Sequence, residues 1–138
     1  MKKITVILTV DDKDGVSFDG KRQSRDREIV KDICSSLDCK IYLTEYSSRL
    51  FGDFKDRTEI CDNPILKCPD GAAAFLEGHP IGPYIESIGK VILYKWNKVY
   101  PADDFFDARE VLEAGSLITS LEFNGFSHEK ITKEVYEI

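Results

Sequence analysis

The stretch Ile4–Val10 is the feature that most limits the folds open to this chain. Its sequence, Ile-Thr-Val-Ile-Leu-Thr-Val, places β-branched or apolar side chains on both alternating faces of an extended strand. A strand with two such faces is covered on both sides, as in the parallel sheets of α/β proteins. The sequence therefore predicts a buried strand near the N-terminus with helices packed on both sides of its sheet.

Further strands and helices alternate along the chain, as a parallel sheet requires. A helix is predicted from an N-cap at Ser24 to about Leu37, because apolar side chains recur there at helical spacing. The other predicted elements are strands at 40–44, 72–77, 90–97, 116–123 and 130–138, with short helices near 49–54 and 81–88. This order predicts a single α/β domain over residues 1–138, with a mainly parallel sheet, helices on both faces and a C-terminal antiparallel hairpin. The segment 11–23 is predicted to be a loop, and 55–70 shows no clear pattern.

Composition narrows the possible partners and the cellular location. Acidic residues outnumber basic ones by 25 to 19, which argues against a protein whose whole surface binds nucleic acid and leaves a local basic patch open. No apolar stretch approaches the roughly 18 residues of a membrane span. Acidic residues, rather than a signal-peptide cleavage site, follow Val10. We therefore expect a cytoplasmic protein with no membrane partner.

The cysteines do not have the spacing of a zinc site. Cys34 and Cys39 are separated by four residues, and Cys61 and Cys68 by six, whereas structural zinc sites use tighter pairs. Cys34 lies on the apolar face of the predicted helix. We expect it to be a buried, reduced thiol, and we expect no metal site.

Polar residues gather where the predicted strands end. Ligands of open α/β sheets bind beyond the carboxyl ends of the strands, which here lead into 11–23, 45–48, 78–81 and 97–104. The residues that we expect at a ligand site are Asp11, Gly15, Arg22, Arg25, Asp26 and Glu45. Together they favour a small anionic or heterocyclic ligand at this edge of the sheet.

Asp26 is the most informative of these residues, because its helical position points toward the apolar stripe. It could be a helix N-terminal acid that satisfies free amides, a ligand-binding carboxylate, or the partner of Arg22 or Arg25. Burial would raise the pKa of its carboxyl unless one of these arginines pairs with it. The basic residues could likewise be a solvated helix start or an anion site.

The chain has two histidines. His79 follows a predicted strand at the ligand end, and with Asp26 it is our candidate for general acid–base catalysis. His128 lies in the turn Ser127-His128-Glu129, where adjacent side chains cannot converge on one another as a catalytic triad. We expect His128 to be exposed in the closing hairpin.

The order of elements resembles dihydrofolate reductase over most of the chain. Asp26 falls where that family has its proton-relaying carboxylate, on a helix that resembles the substrate-binding helix. The matching stretches are Val10-Asp11 with Gly15-Val16, Phe75-Leu76-Glu77-Gly78-His79-Pro80-Ile81, Ile88-Gly89-Lys90-Val91-Ile92-Leu93 and Asp103-Asp104-Phe105-Phe106. The resemblance implies a dihydrofolate reductase-like fold ending in a hairpin.

The nucleotide-binding motifs of that family are altered. Glu45 stands where the family places a cation against the cofactor phosphate, and Gly78-His79 keeps one glycine of the Gly-Gly pair. The segment Lys21-Arg22-Gln23-Ser24 replaces the tryptophan and Leu-Pro of the mobile loop. We therefore interpret the chain as a trimmed reductase-like fold without its dinucleotide site, and we expect no cofactor, NADPH included.

The whole chain also resembles short bacterial proteins that carry the label ribonuclease Z. The shared features are Arg-Gln-Ser-x-Asp-Arg at 22–27 and Ser-His-Glu-Lys-Ile-Thr at 127–132. A two-metal hydrolase of that kind needs a His-x-His-x-Asp-His run, and two histidines cannot supply it. The alternatives to a ligand-binding protein are thus an enzyme, reductase-like or hydrolytic, or an interaction module. In the last case an edge strand or hairpin would pair with a partner or a second copy in a homodimer.

Overall fold

A computed structural model describes residues 2–138. Its strands are Ile4–Val10 (β1), Gly15–Phe18 (β2), Lys21–Arg22 (β3), Ile41–Leu43 (β4), Thr58–Ile60 (β5), Ala73–Phe75 (β6), Ile88–Lys95 (β7), Asp104–Phe105 (β8), Ser116–Phe123 (β9) and Ile131–Glu137 (β10). Its α-helices are Arg27–Ser36 (α1), Glu45–Ser48 (α2), Pro64–Lys67 (α3) and Arg109–Ala114 (α4), and 3-10 helices span Arg49–Arg57 and Gly82–Ser87. Across residues 2–138, no helix is both long and apolar enough to cross a membrane.

Seven strands form one sheet in the order β5-β4-β6-β1-β7-β10-β9. The strands from β5 to β7 are parallel, whereas β10 is antiparallel to both β7 and β9. This confirms the predicted parallel sheet with a C-terminal antiparallel hairpin. Strand β9 is an exposed edge that carries Leu117, Ile118 and Leu121 on its surface. Its pairing with a second copy stays a prediction.

The sheet is covered on both faces, as the pattern of β1 predicted. Val6 and Leu8 belong to an apolar cluster that includes Ile65 of α3 and Leu112 of α4. Ile7 points to the opposite side, into a second cluster with α1. Because successive side chains alternate between faces, one strand contributes to both halves of the core.

Helix α1 begins later than the sequence predicted. Ser24 is not its N-cap: the cap is Asp26, which has an extended backbone and accepts a hydrogen bond from the Glu28 amide at 2.9 Å. Both residue types are good caps, so the pattern could not choose between them. The later start leaves the Ser24 side chain outside the helix.

Two segments without a predicted element contain regular structure. The segment 11–23 is not a plain loop, because β2 and β3 form a hairpin there, and β2 also pairs with β8 to complete a three-stranded sheet. The chain reverses at Asp19 and Gly20, whose φ angles are 51° and 71°. The segment 55–70 contains β5 and α3, and Asn63 caps α3 through the Leu66 amide. These elements are too short for periodicity to reveal.

Candidate functional site

A cavity of about 410 Å³ opens where three parallel strands end. Thr9 near the end of β1, Glu77 after β6 and Trp96 after β7 line it, and so does the first turn of α1. Phe126 closes the cavity from the loop between β9 and β10. The position agrees with the general rule for ligands of α/β sheets.

Asp26 lies at the wall of this cavity, but its carboxylate faces the protein. One oxygen, Oδ2, accepts hydrogen bonds from the amides of Phe126, Ser127 and His128 at 2.9, 2.9 and 3.1 Å. The other, Oδ1, accepts from Glu28 and Phe126 at 2.9 and 2.8 Å. Burial alone would raise the pKa of this carboxyl, but hydrogen bonds from Phe126, His128 and other donors outweigh it and lower the pKa to about 2. Asp26 is therefore ionised at neutral pH.

His128 is buried, so the expectation of an exposed hairpin histidine is wrong. Its Nδ1 lies 3.0 Å from Oδ2 of Asp26, and its ring stacks on Trp96 with centroids 4.6 Å apart. The hydrogen bonds from residues 126–128 to Asp26 hold this loop against the start of α1, and the His128 imidazole is buried there. Because Nδ1 faces the Asp26 carboxylate, which can only accept, Nδ1 is the donor of this pair, and Nε2 is the acceptor when the ring carries a single proton.

Two hydroxyl groups meet that acceptor nitrogen. Ser24 Oγ lies 3.1 Å from His128 Nε2, and the Tyr100 hydroxyl lies 2.9 Å from it. Of the two residues, Ser24 lines the cavity and Tyr100 does not. The structure thus contains a hydrogen-bonded chain from the cavity through Ser24 and His128 to Asp26.

The charge at the cavity is mainly positive. Arg25, Arg27 and Arg49 line it. Within residues 2–138, no carboxylate lies at ion-pair distance from the side chain of Arg25 or Arg49. The acidic residue Glu77 is already paired, since it accepts hydrogen bonds from Arg22 Nε at 2.7 Å and Nη2 at 2.9 Å.

Arg22 therefore pairs with Glu77, so the prediction that Arg22 is the ion-pair partner of Asp26 is wrong. Arg22 does not line the main cavity. Glu45 is exposed in the first turn of α2, also outside it. His79 lines a separate hollow of about 50 Å³, and its Nδ1 lies 2.9 Å from the carbonyl oxygen of Pro80. The roles predicted for these residues stay predictions.

Asp11 and Gly15 hold the start of the second sheet together. The buried Asp11 carboxylate accepts hydrogen bonds from the amides of Lys13 and Gly15 at 2.8 Å each and from Tyr100 at 3.1 Å. A Cβ on Gly15 would lie 2.7 Å from the Cβ of Ala102 and 2.8 Å from Asp11 Oδ2. Neither residue lines the main cavity, and their predicted ligand role is untested.

Cys34 is a buried free thiol, as predicted. Burial raises the pKa of the Cys68 thiol to about 11, so this sulfur is protonated at neutral pH. Within residues 2–138, no three His, Cys, Asp or Glu side chains lie close enough to hold a metal ion.

The strand order, the two covered faces and the closing hairpin define an α/β protein with a dihydrofolate reductase-like fold. The chain is similar to a solved dihydrofolate reductase from Enterococcus faecalis, complexed with NADP(H) and RAB-propyl. The TM-score is 0.69 at 10% sequence identity, and the match covers 98% of this chain and 95% of that chain. No protein-family model matches the chain. A search of curated proteins also found no match.

Sequence reasoning identified Asp26 and Arg25 but missed Ser24, His128 and Arg49 as residues of this site. Arg49 had a usable signal, because it lies shortly after a strand that ends at the ligand edge. His128 had none, since Ser24 and Asp26, its partners at the cavity, lie more than 100 positions earlier in the chain.

Proposed function

We propose that this protein binds a small organic anion with an apolar body in the 410 Å³ cavity. One observation carries the proposal: the cavity combines apolar walls with Arg25 and Arg49, whose charges have no acidic partner within residues 2–138. Ligand sites usually pair apolar lining with a few polar groups that fix orientation. Guanidinium groups suit a carboxylate or phosphate, because they can donate two parallel hydrogen bonds.

The walls favour a flat or branched apolar body. Phe75, Trp96, Ile29 and Leu50 line the cavity, and Trp96 is buried beside the stacked His128 ring. Arg27 lies over the Phe126 ring, 3.6 Å from its centroid, which holds this aromatic side chain at the rim. A ligand ring could contact these side chains while its anionic group reaches the arginines.

Direct recognition by the Asp26 carboxylate does not fit this geometry well. Its side chain is 0% exposed, and both oxygens are occupied by donors from the chain itself. We propose that Asp26 shapes the cavity by holding the 126–128 loop. A ligand would then be held by the arginines and the apolar walls.

The residues present do not fit NADPH, and we derive no hydride-transfer step. The hollow beside β2 and α2 measures about 160 Å³, and its charged lining residues are Lys21, Arg22, Glu77 and Asp104. Exposed Glu45 begins the adjacent helix. Glu77 is compensated by its ion pair with Arg22, but the carboxylates of Asp104 and Glu45 repel the phosphates of a dinucleotide. These two residues support the expectation that NADPH is not a cofactor, which stays a prediction.

Fluorescence of Trp96 tests the proposal, because it is the sole tryptophan of the chain and lines the cavity. We expect aromatic carboxylates and phosphates, such as benzoate and phenyl phosphate, to change its emission saturably, and benzamide to bind more weakly. Arg49→Ala removes a charged hydrogen-bond donor, which is worth about 1.5–3 kcal/mol and lowers affinity about 10-fold or more.

Lys55→Ala is the matched control, since Lys55 is exposed on the same 3-10 helix but does not line the cavity. Its affinity should equal that of the unmodified protein. Equal binding of benzoate and benzamide, or no binding of any probe at millimolar concentration, would refute the proposal.

A further inference from the structure

We propose that Ser24, His128 and Asp26 form a catalytic triad that makes Ser24 a nucleophile toward carboxylic esters bound in the cavity. The distances are 3.1 Å from Ser24 Oγ to His128 Nε2 and 3.0 Å from His128 Nδ1 to Asp26 Oδ2. The hydroxyl, the base and the orienting acid are thus hydrogen-bonded in the order that activates a serine. The inference rests on the proposed function, because it takes an anionic ester as the bound substrate.

The surroundings of the histidine favour this chemistry over a purely structural bond. The His128 side chain is 3% exposed and is fixed by stacking on Trp96, so water competes little for Nε2. The Asp26 amide contacts also fix the carboxylate that orients the ring. The single lone pair of Nε2 can accept from Ser24 Oγ at 3.1 Å or from the Tyr100 hydroxyl at 2.9 Å. Of these two residues, half-buried Ser24 lines the cavity and Tyr100 does not, so Ser24 is the one that a bound ester can reach.

Arg25 follows Ser24 and supplies stabilisation for the oxyanion. Arg25 lines the same cavity, and within residues 2–138 its backbone N–H donates to no acceptor. An amide directly after the nucleophile and a nearby cation are groups that stabilise negative charge on a substrate carbonyl oxygen.

The proposed reaction needs only the ester and water. Ser24 Oγ forms a bond to the carbonyl carbon while its proton moves to Nε2 of His128, and the negative charge on the carbonyl oxygen faces Arg25. The bond to the leaving alcohol then breaks, and the alcohol takes the proton from His128. Water attacks the acyl group with His128 as base, the acid is released, and the proton returns to Ser24.

Covalent labelling tests the nucleophile directly. We treat the full chain with diisopropyl fluorophosphate, which loses fluoride as the serine oxygen bonds to phosphorus, and map the adduct by peptide mass spectrometry. We expect a single adduct on Ser24. It should be absent in Ser24→Ala and should form at least about 100-fold more slowly in His128→Gln, because general-base assistance is worth that much or more.

The control is Ser120→Ala, which changes an exposed serine on the edge strand β9 and should be labelled like the unmodified protein. Adduct mapping on the unmodified chain keeps the test decisive even if His128→Gln does not fold. An absent adduct, or one on Ser127 or Tyr100 in place of Ser24, would overturn the inference.

Ester hydrolysis separates this inference from the proposed function. We expect a higher kcat/KM for mono-4-nitrophenyl succinate than for 4-nitrophenyl acetate, with the preference lost in Arg49→Ala. If benzoate binds but Ser24 is not labelled, the triad is refuted and the binding function stands. If Ser24 is labelled but no anion binds, the binding function is refuted and the nucleophile stands.

Discussion

Replacing Asp26 by asparagine tests how the cavity is held together. The two carboxylate oxygens accept hydrogen bonds from Glu28, Phe126, Ser127 and His128. An amide keeps one acceptor and turns the other oxygen into an N–H donor. In either orientation, that new donor faces at least two N–H groups of the chain.

The expected cost follows from those contacts. A hydrogen bond to a charged group is worth about 1.5–3 kcal/mol, so losing two lowers the free energy of unfolding by about 4 kcal/mol. This is a large part of the total for a domain of this size, about 5–15 kcal/mol. We expect Asp26→Asn to unfold at a much lower urea concentration at pH 7.

The same residue predicts a pH dependence. Its pKa is about 2 in the folded protein and 3.8 ordinarily, so folding favours the ionised form. The resulting stabilisation is fully present above pH 4 to 5 and is lost as the pH falls toward 2. It amounts to about 2 kcal/mol, from 1.36 kcal/mol per pKa unit. Asp26→Asn lacks this group and should lose that part of the acid dependence.

Urea unfolding at pH 7 and pH 3 measures both the loss of stability and the loss of acid dependence. The control is Asp53→Asn, because Asp53 is exposed and its side chain makes no hydrogen bond within residues 2–138. The control should match the unmodified protein at both pH values. If Asp26→Asn stays within 1 kcal/mol of the unmodified protein at pH 7, or keeps its full acid dependence, the carboxylate is not the anchor described here.

Three further predictions concern other parts of the fold. Gly15→Ala should lower the free energy of urea unfolding by about 1–3 kcal/mol, because the added Cβ meets packed atoms. The control is Gly52→Ala, which has open space around it and should change that free energy by less than about 0.5 kcal/mol. In the folded protein, Cys68 should react with Ellman's reagent at pH 7 far more slowly than after unfolding, because it is buried with a pKa of about 11; equal rates would contradict this. Tyr94→Phe removes a 2.6 Å hydrogen bond to the Asp32 carboxylate and should lower the thermal midpoint, at a cost of about 1.5–3 kcal/mol; an unchanged midpoint would contradict it.

The strands that were predicted well are those with strong local patterns. Ile4–Val10 and Ser116–Phe123 match their predicted bounds, and β7 lies within two residues of them, because alternation and β-branching act over a few neighbouring residues. The short strands of the second sheet were missed. They are held by pairing between β2 and β8, which lie far apart in the sequence, and no local pattern reports such pairing.

The candidate site could be predicted only in part. Its place at the strand ends and the importance of Asp26 follow from the order of elements and from an acid at the start of α1. The role of Asp26 does not, because its partners come from 126–128. Adjacent Ser127, His128 and Glu129 cannot form a triad among themselves, but His128 can still contact residues that are distant in the sequence. The sequence pattern predicts Ser24 as the helix cap, a position that Asp26 occupies in the structure.

The bond between Asp26 and the 126–128 loop joins residues 100 positions apart. Contacts of such separation form late, since the entropy of closing a long loop opposes them until most of the chain is ordered. The cavity therefore cannot assemble as the chain emerges from the ribosome until the β9–β10 hairpin has docked. The last two strands therefore belong to the cavity as well as to the sheet, because the loop between them supplies Phe126 and Ser127 to the cavity wall and places His128 against Asp26.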